Sequence, residues 1–301
     1  MLSYDIVDVF TDRPFAGNPL AVIRGATDLT TNQLQALASE FNLSETAFPT
    51  TSTDHGRADG SSYRVRIFTP ASEIPFAGHP SIGTAWVLRR DDLIRAGSVT
   101  QHCQAGAVTL AVPPDAADPI ELEAAPRGVS DPIAAGPVLR AVGLSEHDAQ
   151  GMVRVSGCGL DFVFLRVASS ALQRAVPAVS PLAAIVPAPG ADPIGGVSVY
   201  AVEAADQPPL RIRARAFCPD VGVLEDPATG AAALGLGPVL VADGALPGSG
   251  GSYVIGQGVE MGRPSVLHCR VEAADMVATR CFVAGRVTPV AAGRIRIPPE
   301  V

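Results

Sequence analysis

Residues 66–83 read RIFTPASEIPFAGHPSIG, and residues 215–232 read RAFCPDVGVLEDPATGAA. Both begin Arg-x-Phe-x-Pro, as Arg66, Phe68 and Pro70 and again as Arg215, Phe217 and Pro219. Each continues to an acidic residue, Glu73 or Glu225, then a Gly/Pro-rich turn, then an apolar run. One copy per half predicts an internal duplication, and hence two similar lobes. Short matches of this kind also arise by chance. A smaller echo, PFAGNP at 14–19 against PFAGHP at 75–80, differs only at Asn18 and His79. The first copy runs into the strand-like LAVIR (20–24), where Asn18 would brace a turn. The second runs into the helix-like SIGTAWVL (81–88).

Pro80 and Pro227 each sit where a helix can begin, a position that suits proline because its missing N–H would have no partner there. His79 and Asp226 would then be N-cap residues. The run after Asp226 is apolar all round, which predicts a helix buried on every side, with Gly230, Gly235 and Gly237 allowing close approach and Pro238 kinking or ending it. A helix N-terminus offers unpaired N–H groups and partial positive charge, a ready seat for a carboxylate. Two well-capped structural helices would look the same.

Elsewhere, short strand-like runs dominate: 4–10, 20–24, 63–68, 107–112 and 120–125, then 152–157, 161–167, 195–203 and 210–217. Thr31 to Phe41 has helical spacing at Leu34, Leu37, Ala38 and Phe41, with Thr at its start and Asn42 at its end. Residues 113–137, crowded with Pro, Ala, Asp and Gly, mark the best boundary. The segregated strand-rich halves predict an α+β protein. Its N-terminal lobe would span 1–125 and its C-terminal lobe 126–284, with 285–301, including the strand-like 293–298, returning to the first.

Composition excludes several chemistries. Of 301 residues, none is lysine; all 22 basic side chains are arginine. A lysine Schiff base and a P-loop are therefore ruled out. A net charge of -8 argues against nucleic-acid and membrane-surface partners. Five scattered cysteines, without a CxxC pair, give neither a disulfide framework nor a zinc site, and no cluster has metal-ligand spacing. The opening MLSYDIVDVF has no basic residues ahead of its apolar ones, and the most apolar run, 227–242, is too short and broken for a membrane span. A soluble, cytoplasmic protein is expected.

These motifs carry a specific likeness. The segments DVFTDRPFAGNPLAV (8–22), NLSETAFP (42–49), GHP (78–80), EDPATG (225–230), QGVEMGRPS (257–265) and GRVTPVAAGRIRIP (285–298) resemble the PhzF family of phenazine-biosynthesis-type isomerases across nearly the whole chain. The resemblance implies a diaminopimelate epimerase-like fold. Two pseudosymmetric lobes, each a β-barrel-like sheet around a central helix, would have the active site in the cleft between them. It also implies cofactor-free isomerisation by proton transfer in secondary metabolism, on a small anionic metabolite, in a homodimer. By the same resemblance Glu45 is the acid/base, with His79 and Asp226 beside the substrate, and Ser44, Gly78, Ser81, Gly230 and Ala231 line the site. The related epimerases use two thiols near these helix starts, but neither AGHPS nor DPATGA holds a cysteine, and Cys218 lies eight residues before Asp226. Where the family commonly has EDPxTGS this chain has Ala231, and the lost hydroxyl donor bears against carrying the phenazine precursor over as substrate.

The residues also have plainer readings. Glu45 faces solvent or, in low-dielectric surroundings that raise its pKa, takes and returns a proton. His79 is a hydrogen-bonded cap, or else relays a proton or holds a substrate carboxylate or hydroxyl. Asp226 is a helix cap or orients the imidazole. Glu73 and Glu225 would pair with Arg66 and Arg215. His55, His102, His147 and His268 stand outside any motif and read as surface or structural. An epimerase or racemase of an amino-acid-like substrate, or a non-catalytic small-molecule-binding member, is the alternative to an isomerase.

Overall fold

A computed structural model describes residues 1–51, 60–177, 186, 194–204 and 208–300. The chain divides into two compact units: Met1–Glu123 with Ala284–Val301, and Ala124–Val283.

Unit 1 contains β1 (Leu2–Val9), β2 (Asn18–Arg24), α1 (Thr31–Phe41), β3 (Glu45–Thr51), β4 (Ser62–Phe68), β5 (Glu73–Ile74), α2 (Gly78–Arg90), β6 (Gly97–Cys103), β7 (Gly106–Val112) and β8 (Ile120–Ala124). β1–β2, β3–β4 and β6–β7 pair antiparallel, whereas β2–β3 and β4–β6 pair parallel; β5 lies against β4. Alternation does its expected work in β4, where Tyr63, Val65 and Ile67 are buried, and Phe68 is buried as well. α1 has the bounds its spacing predicts: Thr30 caps it by accepting from the Gln33 N–H in a capping box, and Asn42 closes the helix in the left-handed conformation.

Unit 2 contains α3 (Ala135–Ala141), β9 (Arg154–Gly157), β10 (Asp161–Arg166), α4 (Ser169–Leu172), β11 (Ile194–Ala204), β12 (Leu210–Cys218), β13 (Val223–Asp226), α5 (Gly230–Ala242), β14 (Gly250–Gln257), β15 (Ser265–Ala274) and β16 (Val277–Gly285). The pattern of unit 1 recurs: β9–β10, β11–β12 and β14–β15 pair antiparallel, β10–β11 and β12–β14 pair parallel, and β13 lies against β12. The last strand, β17 (Val287–Ile295), pairs antiparallel with β1 and belongs to unit 1.

Each unit curves its sheet around one buried helix. α2 is buried from Gly78 to Leu88 and meets β1 and β2 so closely that a Cβ on Gly83 would lie 2.6 Å from Leu20 Cδ2 and 2.9 Å from Val9 Cγ2. α5 is buried from Gly230 to Val241. A Cβ on its Gly235 would meet Phe164 at 3.1 Å, and one on Gly237 would meet the Tyr253 hydroxyl at 2.8 Å. Glycine lets both helices sit at the centre of their sheets. Pro238 does not end α5, which continues to Ala242.

The repeated Arg-x-Phe motif builds the same cluster twice. Arg66 grips Glu73 with Nε at 2.8 Å and Nη2 at 2.6 Å and covers the Phe68 ring at 5.1 Å. Arg215 grips Glu225 with both contacts at 2.8 Å and covers Phe217 at 5.0 Å. The ungapped match of 66–83 to 215–232 does not hold beyond these motifs, however. Gly78 and Gly230 open the two helices, so unit 2 has gained three residues, taken up by the helical turn Pro219–Val221. Counted from the helix starts, Ala231 stands where unit 1 has His79.

Neither His79 nor Asp226 is an N-cap. Ala77, in extended conformation, precedes α2, so His79 is the helix's second residue and Pro80 its third. Asp226 ends β13 opposite Ala216, and Pro227, Ala228 and Thr229 separate it from α5, whose N-cap is Thr229. Proline is tolerated throughout a first helical turn because those N–H groups have no helical partner, so it does not fix the first residue.

Candidate active site

In unit 1 three elements converge. Gly17, at φ +65°, allows the chain to turn into β2; a Cβ there would lie 2.3 Å from the Val9 carbonyl oxygen. That turn delivers Asn18 as the first, fully buried residue of β2. Ser44 precedes β3, and Glu45 opens it, with 15% of its side chain exposed. The first turn of α2 delivers His79, 3% exposed.

These side chains form a chain of contacts. The Ser44 hydroxyl donates to Asn18 Oδ1 at 3.1 Å, and Asn18 Nδ2 lies 3.1 Å from His79 Nδ1. On the opposite edge of the ring, His79 Nε2 lies 3.4 Å from Glu45 Oε2. Those two atoms are within ion-pair reach but do not meet hydrogen-bond geometry with each other. Burial pushes the His79 pKa down to about 3, so the imidazole is neutral at pH 7. The positive end of α2 acts in the same direction.

In unit 2, Asp226 and Thr229 are buried. The Thr229 hydroxyl donates to Asp226 Oδ2 at 2.6 Å rather than capping α5. Gln257, the last residue of β14, donates to the Asp226 carbonyl at 2.7 Å and to Thr229 Oγ1 at 3.0 Å. Gly258, at φ +74°, brings the following chain against the loop, since a Cβ there would lie 2.6 Å from the Pro227 oxygen. Gly230 and Ala231 open α5, with Ala231 7% exposed.

The structure thus gathers Glu45, His79 and Ser44 in unit 1 and, separately, Asp226, Gly230 and Ala231 in unit 2, with Gly78 opening α2. Ser81 is engaged elsewhere: fully buried, it donates to the Ala77 carbonyl at 2.8 Å and accepts from Gln101, which in turn accepts from Tyr63. Sequence reasoning gave Asn18 chiefly to a turn, with ligand contact as its second reading, and did not single out Thr229 or Gln257. The signal for Asn18 was present in the two hexapeptides, whose one differing position is the pair in contact. His102, His147 and His268 are exposed, and His55 lies outside the described residues. All five cysteines are free. Among the described residues, no group of three or more His, Cys, Asp or Glu side chains is placed to hold a metal ion, and no helix is long and apolar enough to cross a membrane.

The chain is similar to known proteins over nearly its whole length. The family model described as phenazine biosynthesis-like protein, PhzC-PhzF, matches residues 7–293. Trans-2,3-dihydro-3-hydroxyanthranilate isomerase of Pseudomonas chlororaphis is 34% identical over 98% of this chain and 99% of its own. The crystal structure of a PhzF-family phenazine biosynthesis protein from Bacillus anthracis has a TM-score of 0.84 at 21% identity, covering 98% of this chain and 99% of its own, a likeness of fold. A structure from Pseudomonas aeruginosa described as a predicted epimerase has a TM-score of 0.78 at 30% identity, covering 98% and 99%. The α+β fold is of the diaminopimelate epimerase-like class, as the sequence motifs implied.

Proposed function

Because the chain belongs to the phenazine biosynthesis-like family and is an isomerase, we propose that it migrates a double bond in a small, carboxylated, unsaturated metabolite by proton transfer through Glu45. The observation that carries this reading is the half-buried Glu45 carboxylate set 3.4 Å from a buried, neutral imidazole. Glu45 removes a proton made acidic by an adjacent carbonyl or diene. The electron pair spreads through the conjugated system, and the proton returns at its far end. His79 and the helix starts steady the carboxylate and the delocalised charge, Asp226 accepts from a substrate hydroxyl or amine, and Ser44, Gly78, Gly230 and Ala231 contribute to binding. The reaction asks nothing of the protein beyond these side chains and helix starts.

The named isomerase of P. chlororaphis supports a substrate that is a hydroxylated, unsaturated carboxylic acid, in the manner of secondary metabolism. Ala231, lacking the hydroxyl of the family motif, points to a related acid with different polar decoration. The test is solvent deuterium incorporation across a panel of unsaturated amino and hydroxy acids, followed by product analysis. Glu45→Gln is expected to lower turnover by about 10²–10⁴-fold, the usual contribution of general acid–base catalysis. Exchange at the native rate in that variant would sink the proposal. Inversion of one stereocentre without bond migration would identify an epimerase, and ligand binding without exchange a non-catalytic member.

A further inference from the structure

Neutral imidazole carries one proton, and its two ring nitrogens face different partners. A carboxylate oxygen, Glu45 Oε2, stands before Nε2 at 3.4 Å, so an N–H at Nε2 is favoured and Nδ1 is left as the acceptor. Asn18 must then present its NH₂ group to Nδ1 and its oxygen away, where the Ser44 hydroxyl meets it at 3.1 Å. The two hydrogen bonds in the row point the same way, from Ser44 through Asn18 to His79, and the ring's remaining edge then turns its N–H towards Glu45. The opposite ring tautomer would point N–H at the NH₂ group and a lone pair at the carboxylate.

We propose that Asn18, oriented by Ser44, is a positioning residue that locks His79 in the Nε2–H tautomer, which makes His79 a hydrogen-bond donor to developing negative charge and leaves Glu45 as the sole base of unit 1. Asn18 acts only through the ring; complete burial keeps it from exchanging its partner for water. A neutral donor stabilises an enolate-like oxygen without surrendering a proton to it, so the proton taken by Glu45 must return from Glu45 or from solvent. The kinetic part of this inference rests on the isomerase reading, whereas the tautomer does not.

The experiment is ¹⁵N NMR of the full-length protein labelled in its histidine rings, with the His79 signals assigned by their loss in His79→Gln. At pH 7 the expected result is a bare Nδ1 and a protonated Nε2. A protonated Nδ1 overturns the proposal, whether Nε2 is bare or protonated. In Asn18→Asp, whose carboxylate cannot donate, the ring proton is expected at Nδ1; an unchanged ring overturns the role of Asn18. Should that variant not fold, Asn18→Ala reports on the same signals through loss of the Nε2–H preference. On an active substrate, Asn18→Asp is expected to lower kcat by about 10²-fold while changing KM by less than about 2-fold. In a His79→Gln background it should add no further loss, and an equal loss there overturns action through the ring. Absence of turnover on every substrate would sink the isomerase reading, leaving the NMR result to decide the tautomer alone.

Discussion

Asn18 Nδ2 and His79 Nδ1 are 3.1 Å apart, although 61 residues separate them in the chain. They occupy the one position at which PFAGNP and PFAGHP differ. The same six-residue turn therefore supplies two complementary partners, an amide at the start of β2 and an imidazole in the first turn of α2.

The burial of His79 gives stability a pH dependence. Its folded pKa of about 3 lies below the ordinary value of 6.5, so between those limits the unfolded chain binds the extra proton. The His79 contribution is thus fully present above pH 6.5 and is lost as pH falls towards 3, at up to about 1.4 kcal/mol per pH unit. Urea unfolding at pH 7.5 and pH 5 should show a loss about 2 kcal/mol smaller in His79→Gln than in the wild type. Equal losses in both would contradict a neutral, buried ring.

The two copies of the Arg-x-Phe cluster differ in exposure, and their mutants should differ accordingly. Side-chain exposure is 39% for Arg66 and 27% for Glu73, but 8% for Arg215 and 13% for Glu225. Arg215 also donates to the carbonyls of Leu172 and Ala175. Removing it strands a carboxylate and two carbonyls in the interior, at a cost of about 3–5 kcal/mol. Arg66→Ala loses a more solvated pair and should cost about 1 kcal/mol or less beyond the lost packing. Chemical denaturation midpoints of the two variants provide the check; Arg215→Ala should be clearly the less stable.

Gln257 holds the Asp226 loop from outside. Replacing it with leucine removes the donor to the Asp226 carbonyl and to Thr229 Oγ1, and the acceptor 3.4 Å from the Thr229 N–H. Leaving such groups unsatisfied costs about 1–3 kcal/mol each where water cannot reach them. Gln257→Leu should therefore lower the unfolding midpoint and, with Asp226 in the proposed role, lower kcat/KM on the same substrate. Asp226→Asn, which keeps the size of the side chain, separates the two effects by sparing most of the stability.

Much of the fold was legible in local sequence. Apolar spacing located α1 and α2, alternation located β4, and the Arg-x-Phe-x-Pro repeat announced equivalent strands whose ion pairs formed as expected. What escaped was decided by contacts distant in sequence. Asn18 read as a turn residue because its partner arrives only when α2 is laid against β1 and β2. Ser81 is expected at the site from the family resemblance alone; that its hydroxyl is held by Ala77 and Gln101 depends on a strand 20 residues away. The helix starts were misplaced because proline is equally at home anywhere in a first turn. The three-residue gain at Pro219–Val221 hid the fact that Ala231, not a proton-bearing residue, holds the place of His79.

The pairing of β17 with β1 sets an order on biosynthesis. A ribosome delivers Met1–Glu123 first, but the strand that covers one edge of β1 is made only after all of unit 2. Unit 2 is continuous, Ala124–Val283, and can close upon itself as it emerges. The half of the protein that begins first therefore finishes last. Throughout that interval β1 carries an open row of backbone donors and acceptors, the kind of edge that recruits strands from neighbouring chains. Nascent chains halted before residue 287 should be the ones that most need a chaperone.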